Sequence, residues 1–336
     1  MKAAVVREVR KPVSIEERPR PEPGPGEILV RILASGICHS DLHILDDEMP
    51  SPHPLPLVVG HEGAGTVEAV GADVTKWRVG DRAGIPWLRW ACGECRECIE
   101  GWEPLCAGMR GTGFDEDGCW AEYAVCPAAF AARIPEKLSW EQAAPVLCAG
   151  VTSYKAVKLS GTRPGRTLGV FGIGGLGHLG LQYGKLAGAR VIAVDIHAAK
   201  LSLAEELGAD ACVDASQGDA HRRIRRQGGV DDAVVFATSA RAIRDAVKSL
   251  KPNGSVVVAA LPPGEVPLRA SDLVDRGVRL VGTALGTRQD LMEVLDLAAS
   301  GRVQVKVETC RLEDVNTVLD SMRAHRLDAA RKVIQL

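Results

Sequence analysis

Two hydrophobic rhythms divide the chain near residue 150. Before it, short apolar runs at 2–6, 27–34, 65–70 and 121–125 are separated by Pro- and Gly-rich segments such as 19–26 and 50–56. Short runs bounded by turn formers predict an irregular, mostly antiparallel β domain. Beyond residue 150, strand-like runs at 167–171, 190–195, 211–213, 232–236, 255–260 and 279–282 alternate with amphipathic stretches such as 198–207 and 240–250. In the latter, Ile243, Val247 and Leu250 share one helical face. Six strands with crossover helices predict an α/β, doubly wound parallel sheet. The tail returns to mixed character, with a helix predicted at 290–300 and strands at 303–308 and 331–336. No internal repeat or low-complexity tract interrupts this plan.

Length agrees with two domains, because 336 residues exceed what one ordinary core organises. With 46% apolar and 25% charged residues, the chain has the make-up of a soluble globular protein. Its formal charge of −2 gives no electrostatic reason for a nucleic acid or an anionic membrane as partner. The first residues alternate apolar with charged side chains and lack the apolar core of a secretory signal. The weakly polar stretch 168–184 is dense in glycine and carries His178 and Gln182, so it does not read as a membrane span. A cytoplasmic location is expected.

Ten cysteines are too many for a chain of this kind to leave unexplained, and spacing decides their meaning. Cys92, Cys95, Cys98 and Cys106 form C-x2-C-x2-C-x7-C, a spacing suited to a closed tetrahedral zinc site. An iron–sulfur cluster competes for such a loop, but the seven-residue gap before Cys106 and the lack of any other electron-transfer feature argue against it. A second set is dispersed: Cys38, His61 and Cys148. Each alone is ambiguous. Together two cysteines and a histidine would give zinc three ligands and leave a fourth position for water or substrate.

The sequence Gly172-Ile173-Gly174-Gly175-Leu176-Gly177 follows a predicted strand and opens a predicted helix. Asp195 ends the next strand, 23 residues after Gly172 (195 − 172). In that context the glycines let backbone approach a pyrophosphate, and the helix N-terminus supplies donors to it. Asp195 would hold the adenosine ribose hydroxyls and repel a 2′-phosphate, which favours NAD over NADP.

These motifs resemble the zinc-dependent medium-chain alcohol dehydrogenases, in particular the bacterial and yeast tetrameric branch. The resemblance runs nearly end to end, through C-H-S-D-L-H at 38–43, G-H-E-G at 60–63, G-I-P-W-L at 84–88, the four-cysteine loop, L-C-A-G-V-T at 147–152, the glycine loop and G-T-R at 286–288. It implies a β-rich, GroES-like catalytic domain at 1–150 and 291–336, interrupted by a Rossmann NAD-binding domain at 151–290. It also implies Cys38, His61 and Cys148 as ligands of a catalytic zinc, with Asp41 orienting His61 and Glu62 able to approach the metal. Ser40 and His43 match the relay that passes the alcohol proton through the nicotinamide ribose to solvent. His39, Thr152 and Arg331 match cofactor contacts, His39 and Arg331 towards the pyrophosphate, and Asp195 and Lys200 match those to the adenosine ribose. Trp87 and Met49 match positions that line the alcohol pocket, Met49 standing where yeast relatives carry tryptophan. The implied activity is reversible hydride transfer between a primary alcohol, or its aldehyde, and NAD. The implied complement is two zinc ions per subunit in a homo-oligomer, tetramer or dimer. Polyol dehydrogenases of the same superfamily carry glutamate where this chain has Cys148, which argues against them. A zinc- and nucleotide-binding protein without turnover is the alternative of a different class. Cys119 stands where relatives usually have glycine, and Cys126, Cys212 and Cys310 carry no assigned role.

Overall fold

The computed structural model describes residues 1–324, 326 and 331–336, and every count below refers to them. Two compact units are formed, Met1–Val151 with Gly286–Leu336, and Thr152–Leu285.

The first unit is built on a long central strand, Glu27–Ile37, which pairs antiparallel with Gly63–Val70, Tyr123–Pro127 and Arg331–Gln335. Gly63–Val70 in turn pairs with Arg82–Ile85, that with Ala132–Arg133, and Arg331–Gln335 with Val307–Arg311, giving a seven-stranded sheet. Ile28, Val30, Ile32, Val67, Ala83 and Ile85 fill its core together with Trp77, Cys119 and Cys126. Cys119 and Cys126 are fully buried there, where loss of hydration pushes both thiols up, Cys126 to about 12. A smaller sheet joins Ser14–Glu17, Lys2–Val6 and Leu57–Val58. The strand expected at 303–308 is displaced along the chain. It runs Val307–Arg311, because its parallel partner begins at Arg331, opposite Val307. Val303 and Val305 instead bury their side chains outside any ladder.

The second unit holds the parallel six-stranded sheet, in the order Ala211–Asp214, Arg190–Asp195, Thr167–Phe171, Val230–Val235, Leu250–Val258, Arg279–Gly282. The order reverses direction of growth at Thr167–Phe171, the first strand in sequence, so the crevice for a ligand lies beyond its C-terminal end. Phe171, Ile192, Val194, Val235 and Val256 pack beneath Ile243 and Val247 of the helix Ala240–Ser249, whose apolar face was legible as a 3.6-residue period. The strand expected at 255–260 begins earlier, at Leu250, which pairs with Val230; the next pairing is Ser255 with Asp232, so residues 251–254 bulge out of the ladder within this strand. No helix among the described residues is long and apolar enough to cross a membrane.

Candidate active site and zinc centres

The strand Glu27–Ile37 delivers Cys38 to the start of a short helix, His39–Leu45. Asp41, in its first turn, accepts the Cys38 amide on Oδ2 at 2.8 Å and faces His61 Nδ1 with Oδ1 at 2.9 Å. An ionised carboxylate only accepts, so His61 donates from Nδ1, and its neutral ring would offer a metal the lone pair of Nε2. His61 itself is aimed by a constrained approach. Gly60 has φ +96°, and a Cβ there would fall 2.3 Å from the Trp120 ring, so only glycine lets the chain pass. Trp120 is fully buried and anchored by Nε1 to the Gly36 carbonyl at 3.1 Å. Cys148 arrives from a third element: the helix Trp140–Pro145, capped by Ser139, passes into a π-helical turn, Val146–Gly150. Pro145 has no N–H to continue the α ladder, and the widened turn carries Cys148, a local irregularity common at functional sites.

Ligand atoms of Cys38, His61, Glu62 and Cys148 lie within 4.8 Å of one another, all buried. His61 Nε2 has no hydrogen-bond partner, although a buried polar atom left so is costly. Cys148, through its hydrogen bond, together with His61 and Arg331 holds the Cys38 thiol well below its usual range, while the bond to Cys38 and burial push Cys148 well up. Cysteines bind zinc as thiolates, so a cation held here would displace their protons. Two soft sulfurs, an orphaned imidazole nitrogen and a nearby carboxylate fit zinc at an open, catalytic position.

Glu62, itself within this cluster, is also paired with Arg331, whose Nη2 hydrogen-bonds both carboxylate oxygens. Burial pushes the Glu62 carboxyl up to about 7, against the pull of that guanidinium. Sequence alone gave no sign of this pairing across 269 positions. It commits one arm of Arg331 to Glu62, while its buried Nε has no partner.

Around the cluster, Ser40 Oγ stands 3.8 Å from Cys38 Sγ. His43 is partly buried on the same helix, and its Nδ1 lies 2.5 Å from Glu48. His39 is exposed, its ring centroid 6.5 Å from that of His43. Trp87 meets the His61 ring edge-on at 4.7 Å and stacks on Phe114 at 5.6 Å. Met49 is half-buried in the segment after the helix. Glu48, Phe114 and Trp120 had not been singled out by sequence reasoning, since no spacing links them to a ligand.

The four-cysteine loop forms the second cluster, again within 4.8 Å. The Sγ of Cys106 is 3.6 Å from that of Cys92, and Cys92 is 4.0 Å from Cys98. Zn–S bonds of about 2.3 Å in a tetrahedron require sulfurs roughly 3.8 Å apart, so the spacing fits the metal. Backbone N–H groups of Glu94 and Cys95 push the Cys92 thiol down to about 7, towards the thiolate zinc needs.

In the second unit, Gly172 has φ +91°, and a Cβ on Gly177 would sit 1.7 Å from the Gly172 carbonyl oxygen. These two glycines make the turn and seat the helix Gly177–Leu186. A Cβ on Gly174 would meet nothing within 4 Å, so this residue faces open space in which a ligand could approach the backbone. Gly175 and Leu176 complete the loop half-buried. Asp195 is fastened to it, accepting the Ile173 amide at 2.7 Å on one oxygen and those of Ile196 and His197 on the other. Lys200 lies in the first turn of the helix Ala198–Glu206, and Thr152 is buried in the helix Val151–Ser160.

Comparison with known proteins agrees with this chemistry. The family model of the alcohol dehydrogenase GroES-like domain matches residues 24–136, and that of the zinc-binding dehydrogenases matches 175–300. An alcohol dehydrogenase of Geobacillus stearothermophilus is 47% identical over 323 residues, 96% of each chain. The crystal structure of the alcohol dehydrogenase from Aeropyrum pernix superimposes with a TM-score of 0.92 at 31% identity, covering both chains fully. An acetophenone reductase from Geotrichum candidum, solved in complex with NAD, gives 0.89 at 29% identity over 100% of this chain and 97% of that one. With nearly half of its residues shared along nearly its whole length, the chain belongs to the zinc-dependent medium-chain alcohol dehydrogenase family.

Proposed function

We propose that the protein transfers hydride reversibly between a primary alcohol, or its aldehyde, and NAD, and that each subunit binds two zinc ions. The observation that carries this reading is the buried Cys38–His61–Cys148 set with His61 Nε2 left without a partner. When bound, zinc polarises the alcohol oxygen and lowers the pKa of its hydroxyl, and the nicotinamide accepts the hydride. Cys38, His61 and Cys148 hold the metal, and Asp41 fixes the tautomer of His61. Ser40 would take the alcohol proton, and His43 would pass it on to solvent. Glu62, paired with Arg331, is the acid that can approach the metal.

The Gly172–Gly177 loop and the open face of Gly174 support a pyrophosphate site. His39, Thr152 and Arg331 are assigned further cofactor contacts, Arg331 through its unpartnered Nε. Asp195 and Lys200 are assigned the adenosine ribose, with NAD preferred to NADP. Cys92, Cys95, Cys98 and Cys106 hold the structural zinc. Trp87 and Met49 bound the alcohol pocket.

A homo-oligomer, tetramer or dimer, is supported by the edge strand Arg279–Gly282, along which Arg279, Leu280 and Gly282 are exposed. Such an edge invites pairing with a second chain. Ten unpaired cysteines suit the reducing cytoplasm. Zinc-replete protein assayed with a panel of alcohols should form NADH from primary alcohols and little NADPH. No reduction of either cofactor by any alcohol would refute the reading and favour a binding protein without turnover.

A further inference from the structure

The helix His39–Leu45 carries two histidine–carboxylate relationships that differ in burial. Asp41 in its first turn serves His61 where both side chains are fully buried. His43 in its last turn meets Glu48, with side-chain exposures of 19% and 60%. The second pair is built by the way the helix ends. The His43 carbonyl accepts the amides of both Glu48 and Met49, at 2.9 and 3.0 Å, so the chain folds back beside the residue it has just left. Asp47 supplies the reversal with φ +61°. Two arginines clamp that turn: Arg323 holds the Asp46 carboxylate at 2.6 Å, and Arg10 reaches Asp47 at 3.2 Å while its amide bonds the Leu45 carbonyl. The Glu48 carboxylate is thereby set 2.5 Å from His43 Nδ1.

We propose that Glu48 is a positioning residue of the proton relay, holding neutral His43 in the Nδ1–H form with Nε2 as its basic nitrogen. The proposal rests on the relay role given to His43 above. An exposed ionised carboxylate accepts hydrogen bonds and donates none, so at 2.5 Å the proton must lie on Nδ1. A neutral imidazole with that proton fixed has one lone pair, on Nε2, and only there can it take up a proton. Loss of the right tautomer disables a histidine base even where its geometry is intact. The contrast with Asp41 gives each pair its use. Burial makes His61 a fixed ligand, whereas solvent at Glu48 lets His43 release what it receives. The proton moves from the relay hydroxyl to Nε2, and the Nδ1 proton of the imidazolium then leaves to water, or Nε2 returns its own.

The test uses the full, zinc-loaded protein with 15N-labelled histidine, at a pH where His43 is neutral. The His43 signals are assigned by their disappearance in His43→Gln. Nitrogen shifts and their long-range proton couplings should report a protonated Nδ1 and a bare Nε2. In Glu48→Ala that preference should fall by up to about fivefold, the range an exposed pair can impose, with zinc content unchanged. Turnover of the variant should fall by no more than the same factor. An Nε2–H tautomer in the unmodified protein, or an unchanged tautomer in Glu48→Ala, would overturn the proposal. Full turnover by His43→Gln would fail differently, removing the relay itself and with it any role for Glu48.

Discussion

Asp41 Oδ1 meets His61 Nδ1 at 2.9 Å, and its Oδ2 holds the amide of Cys38 at 2.8 Å, so one buried carboxylate orients two residues of the candidate metal site. Asp41→Asn keeps the shape but removes the charge and admits the wrong histidine tautomer. Metal affinity at this site should fall by about 10–100-fold, the usual cost of removing a carboxylate behind a ligating histidine. Competition with a chromogenic chelator measures it, with the four-cysteine site as internal control. Unchanged affinity would remove Asp41 from this role.

Two clusters imply two metal equivalents with different jobs. Elemental analysis should return about two zinc per chain, since one closed and one open donor set are present. Cys95→Ser should lower the melting temperature and lose one equivalent. Cys38→Ser should lose the other, abolish turnover and leave the far-ultraviolet dichroism intact. A single equivalent in the unmodified protein, or iron in place of zinc, would contradict the assignment.

The two clusters also differ in how much of them could be read from the chain. Cys92, Cys95, Cys98 and Cys106 lie in one loop, so their ligand spacing is written in sequence. Cys38, His61 and Cys148 come from a strand end, a glycine-gated approach and a π-helical turn, and only family resemblance joined them beforehand. Nothing in local pattern announces a π turn, because it arises from how Pro145 interrupts a helix already begun. The parallel sheet was legible because buried strands read as continuous apolar runs, with the glycine loop marking its switch point. Partnerships such as Glu62 with Arg331 or His43 with Glu48 depend on tertiary approach or on one turn's conformation. Neither leaves a periodic signal.

Asp195 should decide cofactor choice and also stiffen the nucleotide loop, since it accepts three backbone amides. Asp195→Ala should admit NADP by removing repulsion of the 2′-phosphate. It should also cost stability, because hydrogen bonds to a charged acceptor are worth about 1.5–3 kcal/mol each. Relative kcat/KM for the two cofactors and a thermal melt read the two effects separately. Equal use of NADP by the unmodified enzyme would make the ribose assignment wrong.

Trp87 is gripped on several sides, by the His61 ring, by Phe114 and by Gly111, where a Cβ would come within 3.0 Å of the indole. Its ring is therefore fixed in place, and on the proposed assignment Met49 would add a flexible thioether that deepens the pocket. Catalytic efficiency should rise from ethanol towards butanol or hexanol. An added methylene contributes about 1–3 kcal/mol in an apolar pocket, so the preference should be graded. Trp87→Ala should admit secondary alcohols. Equal use of 1-propanol and 2-propanol by the unmodified enzyme would contradict this role for Trp87, and falling efficiency with each carbon would contradict that of Met49.

The most direct test of the whole account is withdrawal and return of the metal at Cys38, His61 and Cys148. A chelator that strips this site should abolish NADH formation from 1-butanol in proportion to the zinc removed. One equivalent of zinc added back should restore it, and Cys148→Ser should not recover. A protein emptied at this site that still reduces NAD at full rate would contradict the account.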